Sequence, residues 1–225
     1  MSKEPLLGLA ISYGYQLPGG DLKEDFGDSF QAGFNLDFVS KQNLILGLQS
    51  NFFFGNQVKK DALASLRGPD GLIASPDGFL AEINGKERGQ YYGAHVGKLF
   101  PISKSQRAGV RVTLGGGYLL HKIRLQEDFQ VTIPQIQGEY KKGYDNLHAG
   151  FTLTGFLGYQ YLAKDGLINF LGGVELNQAF TSPQRTWNFG ENAPNEGNRN
   201  DQLVTFKLAW IIPFYFETNP DQIFY

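Results

Sequence analysis

The chain contains no cysteine, one methionine, two tryptophans and three histidines. Without cysteine there is no disulfide framework and no thiolate for catalysis or metal binding. No apolar run approaches the length of about 18 residues that a transmembrane helix requires. Charge of neither sign dominates: 20 Lys and Arg face 22 Asp and Glu, for a net charge of -2, which argues against a nucleic-acid partner. Met1, Ser2 and Lys3 lead directly into the first apolar alternation with no export signal, which reads as a mature chain with a replaced start.

Glycine (29), phenylalanine (19) and tyrosine (11) are abundant, and they follow a period of two. Leu7, Leu9, Ile11, Tyr13, Tyr15 and Leu17 alternate with Gly8, Ala10, Ser12, Gly14 and Gln16. The small and polar set leaves nothing bulky for a soluble sheet core. A narrow closed barrel with lipid outside and a crowded polar lumen inside accounts for both faces. A mean hydropathy of -0.28 fits this, since half of each such strand is polar.

The alternation predicts eight strands, at about 5–17, 29–39, 44–54, 89–100, 107–121, 145–162, 167–180 and 202–216, followed by a tail at 217–225. Ser40 to Asn43, Pro101 and the Ala163-Lys164-Asp165-Gly166 run mark tight turns, Asp-Gly being a hairpin signal. Long and short connections alternate, as in outer-membrane barrels with extracellular loops and periplasmic turns, so both termini are expected in the periplasm. A soluble up-and-down barrel would reverse the two faces. The expected fold is all-β: one domain, a transmembrane antiparallel up-and-down β-barrel of eight strands.

A barrel of eight strands is just wide enough for side chains to fill it. The inward charges expected are Asp37, Arg111, Glu175 and Lys207. Counting up from the turns sets Glu175 beside Lys207 on adjacent strands, and Asp37 lower, able to meet Arg111 across the lumen. Both read as ion pairs that plug the barrel. His121 and His148 are placed inward near the long-loop ends of adjacent strands. With no inward carboxylate nearby they fall short of a zinc ligand set, so neither metal nor cofactor is expected. His95 is read as a lumen filler. The rim residues His121, His148, Asp145 and Ser182 have no spacing that makes a catalytic constellation, and no enzyme activity is expected.

The loops are apolar in places. Val58 to Leu66 reads as a short amphipathic helix, followed by turns at Pro69-Asp70-Gly71 and Pro76-Asp77-Gly78. Leu72, Ile73, Phe79, Leu80 and Ile83 are too many apolar residues for a solvated loop. They form either a cap over the barrel mouth or a surface for another protein. Leu125, Phe129, Val131, Ile133 and Ile136 suggest that the fifth and sixth strands project as a hairpin. Ile223, Phe224 and Tyr225 end the chain as a candidate periplasmic docking tail.

Several runs also resemble a family of small outer-membrane barrels from Bacteroidota. They are Gly55-Asn56-Gln57-Val58-Lys59, Glu87-Arg88-Gly89, Gly97-Lys98-Leu99-Phe100-Pro101, His121-Lys122-Ile123-Arg124, Lys142-Gly143-Tyr144-Asp145 and Thr186-Trp187-Asn188-Phe189. The resemblance covers essentially the whole chain and carries no catalytic residues. It implies an outer-membrane barrel that accompanies larger machinery, such as barrel assembly or secretion. The expected function is a non-catalytic structural or accessory subunit in contact with outer-membrane lipid, lipopolysaccharide and a membrane-protein partner. The alternative is a ligand-binding or minimally conducting small barrel.

Overall fold

Strict alternation of large apolar with small or polar residues suits a strand whose two faces meet different surroundings. In the computed structural model, which describes residues 5–102, 107–126, 131–163 and 169–216, this alternation builds eight long strands. They are β1 (Leu6–Gly20), β2 (Ser29–Val39), β3 (Leu44–Gly55), β4 (Asn84–Pro101), β5 (Gly109–Gln126), β6 (His148–Leu162), β7 (Asn169–Pro183) and β8 (Arg199–Tyr215). Each pairs antiparallel with its neighbours in sequence, and β1 pairs with β8 from Leu6↔Tyr215 to Gly20↔Asp201, which closes the barrel. The tail residues Ile223, Phe224 and Tyr225, the Asp165-Gly166 turn and Phe129 lie outside the described residues.

Short connections close one end. Between β2 and β3, Asn43 takes a positive φ of 61° and the Ser40 hydroxyl accepts hydrogen bonds from the Gln42 and Leu44 amides. Asn tolerates that left-handed conformation better than most residues, which allows the tight reversal. The outer wall is an apolar belt in which Leu208 and Leu114 stay 71% and 66% exposed. Aromatic rings edge the belt on both sides: Tyr13 stacks on Phe30 near the long-loop end, and Tyr161 on Phe170 near the short-turn end.

Inside, the barrel is layered. Towards the short turns Leu6, Val39, Ile45, Leu99, Leu171 and Ile211, with Phe156 from mid-strand, form a buried apolar floor, beside which Asn169 is a buried polar residue. This corrects the expectation of a small and polar lumen, since Phe156 stands inward between Thr154 and Gly158, and Leu171 between Asn169 and Gly173. At the other end Leu22, Phe26, Phe53, Leu63, Ile73, Ile83, Leu119, Ile123, Ile133 and Ile136 form a second apolar core, built jointly by inward strand residues and the long loops.

Three expectations for the loops are overturned. β4 and β5 run past the belt, paired as far as Asn84↔Gln126, so residues 84–88 are strand rather than loop. The projecting pair is therefore β4 with β5, not β5 with β6. β6 starts only at His148, because the stretch before it turns in 3-10 form at Pro134–Ile136 and Tyr140–Gly143. The helix expected over Val58 to Leu66 is reduced to one 3-10 turn, Ala64–Leu66. Val58 is held extended by a bridge to Phe26, and the Asp61 carboxylate accepts from the Leu63 amide. These bonds satisfy the backbone locally and leave no room for helical turns.

Candidate functional site

Between the two apolar ends lie three polar layers that cross the lumen. In the lowest, Arg111 on β5 donates from Nη1 to Asp37 Oδ2 on β2 at 2.8 Å and to Gln160 at 3.2 Å. His95 Nε2 on β4 meets Asp37 Oδ1 at 2.8 Å. Asp37 and His95 flank Gly47 on β3, the residue paired with both. A Cβ at Gly47 would lie 2.2 Å from Asp37 Oδ1 and 2.5 Å from His95 Nε2, so the contact depends on a bare backbone there.

The middle layer is centred on Glu175. Lys207 Nζ lies 3.0 Å from Glu175 Oε2, and Gln49 Nε2 donates to the same oxygen at 2.8 Å. Asn51 reaches Oε1 at 3.4 Å, and Lys207 reaches Asn35 at 3.4 Å. Burial of two charges is tolerable only when both are paired and their remaining hydrogen-bonding capacity is filled. β3 and β7 stand on opposite sides of the barrel, so Gln49 and Asn51 bridge its width.

Above the apolar belt sits a third layer. His121 Nε2 lies 2.9 Å from Asp201 Oδ2, Thr181 donates to that oxygen at 2.5 Å, and Arg199 joins Asp201 to Asp25. The His121 and His148 rings stack at 5.5 Å, with the Phe26 ring edge-on to His121. Burial pushes the His148 imidazole towards its neutral form. Burial would raise Asp201, but the His121 hydrogen bond and charge, with Thr181 and Arg199, outweigh it and hold the acid below its ordinary range. The expectation that no inward carboxylate stands near the histidines is thus corrected: Asp201 is strand, not loop. Among the described residues no group of three or more acids, histidines or cysteines could hold a metal ion.

Glu87, on the same upper part of β4, was also unforeseen. It is buried, and neither carboxyl oxygen has a partner at full hydrogen-bond geometry, although the Ser29 hydroxyl lies close by. Burial pushes it up to about 7, against smaller opposing contributions from the Ser29 hydroxyl and the Arg88 charge. One signal reveals both missed acids. Extending the inward parity of Lys207 upward reaches Asp201, and extending that of His95 reaches Glu87.

The long loops cover this layer. Ile73 and Ile83 are buried in the cap core and Leu72 is half-buried, whereas Phe79 and Leu80 are exposed. Phe79 and Leu80 follow the second of two turns in a small hairpin that pairs Ile73–Ala74 with Leu80–Ala81. Gly71 and Gly78 supply the positive φ values, 78° and 81°, that these turns require. Beside the hairpin, Asn56, Asp61, Arg67, Asn84, Lys86 and Ile123 help line a cavity of about 380 Å³.

No protein-family model and no curated protein sequence matches this chain. Among solved structures it is similar to Ail, the attachment invasion locus protein of Yersinia pestis, in complex with the heparin analogue sucrose octasulfate. That likeness has 12% identity, 94% of this chain and 99% of that chain covered, and a TM-score of 0.46. It is also similar to the outer membrane protein OprG from Pseudomonas aeruginosa, at 10% identity, with 95% and 97% of the two chains covered and a TM-score of 0.36.

Proposed function

We propose that this chain is a non-catalytic barrel of a bacterial outer membrane, with both termini periplasmic, that closes its own lumen and acts as an accessory subunit for a neighbouring membrane protein. The apolar belt edged by aromatics supports the membrane placement, because a wall with Leu208 71% exposed is unfavourable in water. Polar layers that cross the lumen, between an apolar floor and an apolar cap, leave the outer surfaces as the place where it acts.

The observation that carries the docking role is the hairpin whose Phe79 and Leu80 are 65% and 54% exposed, beside a cap core that buries Ile73 and Ile83. On sequence grounds Ile223, Phe224 and Tyr225 add a second docking element on the periplasmic side. Copurification from native outer membranes in mild detergent tests the role. The parent enriches an outer-membrane protein that a Phe79→Ser, Leu80→Ser variant with normal heat-modifiable gel mobility does not; identical profiles reject it.

The cavity beside the hairpin favours a second reading, a small polar ligand held by Arg67 and Asn84. Protection of the cap against proteolysis by a ligand, lost in Asn84→Leu, distinguishes that reading from protein docking.

A further inference from the structure

Where β4 and β5 rise past the apolar belt, their outward faces carry four cations in two successive rungs. Arg88 is paired in register with Lys122, and Lys86 with Arg124. Their neighbours Glu87, Gly89, His121 and Ile123 point the other way and are buried, so the four side chains share the outer wall. Directly opposed residues have Cβ atoms about 5 Å apart, and like charges placed so destabilise the pair. Among the described residues none of the four forms an ion pair with a carboxylate. Nearby acids are engaged elsewhere: Asp61 by Arg67, Glu191 by Lys60 and Glu82 by Asn84.

Four like charges that have no ion-pair partner among the described residues form a cluster that an anion outside the chain would neutralise. We propose that these two rungs bind the phosphate groups of an outer-leaflet glycolipid.

Height selects that ligand. Two rungs below Arg88 and Lys122, Tyr92 is paired with Tyr118 at the aromatic edge of the belt, with Gln90 and Leu120 between. Four residues of strand span about 13 Å, or about 10 Å along the membrane normal at the tilt of a barrel strand. This lifts the cations from the acyl region to the level where lipid phosphates lie. On the other side Arg88 is paired with Phe54, so an apolar ring borders the charge as an acyl chain borders a phosphate. Arg88 donates to the Glu87 carbonyl at 2.5 Å, which orients the guanidinium and leaves further donors to face outward. Burial, with the nearby Arg124 charge, holds the Arg88 guanidinium below its ordinary value against the opposing Glu87 charge. This inference goes beyond protein docking and stands if that role fails.

The test uses the folded protein in zwitterionic micelles, with bound lipid measured by native mass spectrometry. The probes are bis-phosphorylated lipid A, dephosphorylated lipid A and inorganic phosphate. The parent binds the phosphorylated lipid in preference to the dephosphorylated one, and added salt weakens it. Arg88→Gln with Lys122→Gln weakens binding by about tenfold or more, since each interfacial cation contributes appreciably to anionic-lipid affinity. Lys41→Gln, in the turn at the opposite rim, leaves it unchanged. Lys86→Gln with Arg124→Gln is a second variant should the first not fold. Equal affinity for dephosphorylated lipid, or unchanged binding in a folded patch variant, overturns the site. An equal loss in Lys41→Gln, or displacement by inorganic phosphate at lipid A concentrations, overturns it too.

Discussion

Gln49 and Glu175 meet across the lumen: Gln49 Nε2 on β3 donates to Glu175 Oε2 on β7 at 2.8 Å, from opposite sides of the barrel. The oxygen also faces Lys207 at 3.0 Å, so one carboxylate joins three strands and fills the space a solute would use. Floor and cap seal what the polar layers leave.

Removing one member of the Glu175–Lys207 pair strands the other in a dry interior, which costs about 3–5 kcal/mol. Glu175→Gln is therefore destabilised strongly, while Glu175→Gln combined with Lys207→Met recovers most of the loss. Reversible urea unfolding in a lipid bilayer measures both, and a single variant as stable as the parent contradicts the pairing.

Gly47→Ala places a methyl group against Asp37 Oδ1 and His95 Nε2. The overpacked layer loses about 1–3 kcal/mol in the same assay. Gly116→Ala is the control: it faces outward, 3.4 Å from the Phe151 ring, and stays near the parent. Equal behaviour of the two variants argues against a packed lower layer.

Glu87 gives a pH dependence whose sign follows from its raised value of about 7. Between an unfolded value near 4.5 and that folded value, the folded state binds the extra proton, so this acid's contribution to stability falls as pH rises through that window and is constant above it. The loss amounts to about 3 kcal/mol. Glu87→Gln is expected to be more stable than the parent at pH 8 and similar to it at pH 4. A parent curve that keeps its slope in Glu87→Gln assigns that slope to other groups.

The barrel was legible because lipid and lumen impose opposite demands on successive residues. The same period brought Glu175 to Lys207 and Asp37 to Arg111. It stopped being readable where strands leave the lipid. Arg88, Lys122 and Gln202 are outward yet polar, so the upper parts of β4, β5 and β8 looked like loop, and Glu87 and Asp201 were lost with them. Loop residues such as Ile133 and Val58 are placed by distant partners rather than by local pattern. Their spacing suggested a hairpin and a helix that tertiary packing replaced with 3-10 turns and a bridge to Phe26.

A closed lumen should pass no ions, and planar-bilayer recording of the purified protein reads this without an intermediary. With the floor of Phe156, Leu171 and Ile211 and the Gln49–Glu175 bridge both in place, no steady conductance is expected, and at most small intermittent events. Stable openings of the size given by wide porins would contradict it and return transport to the interior.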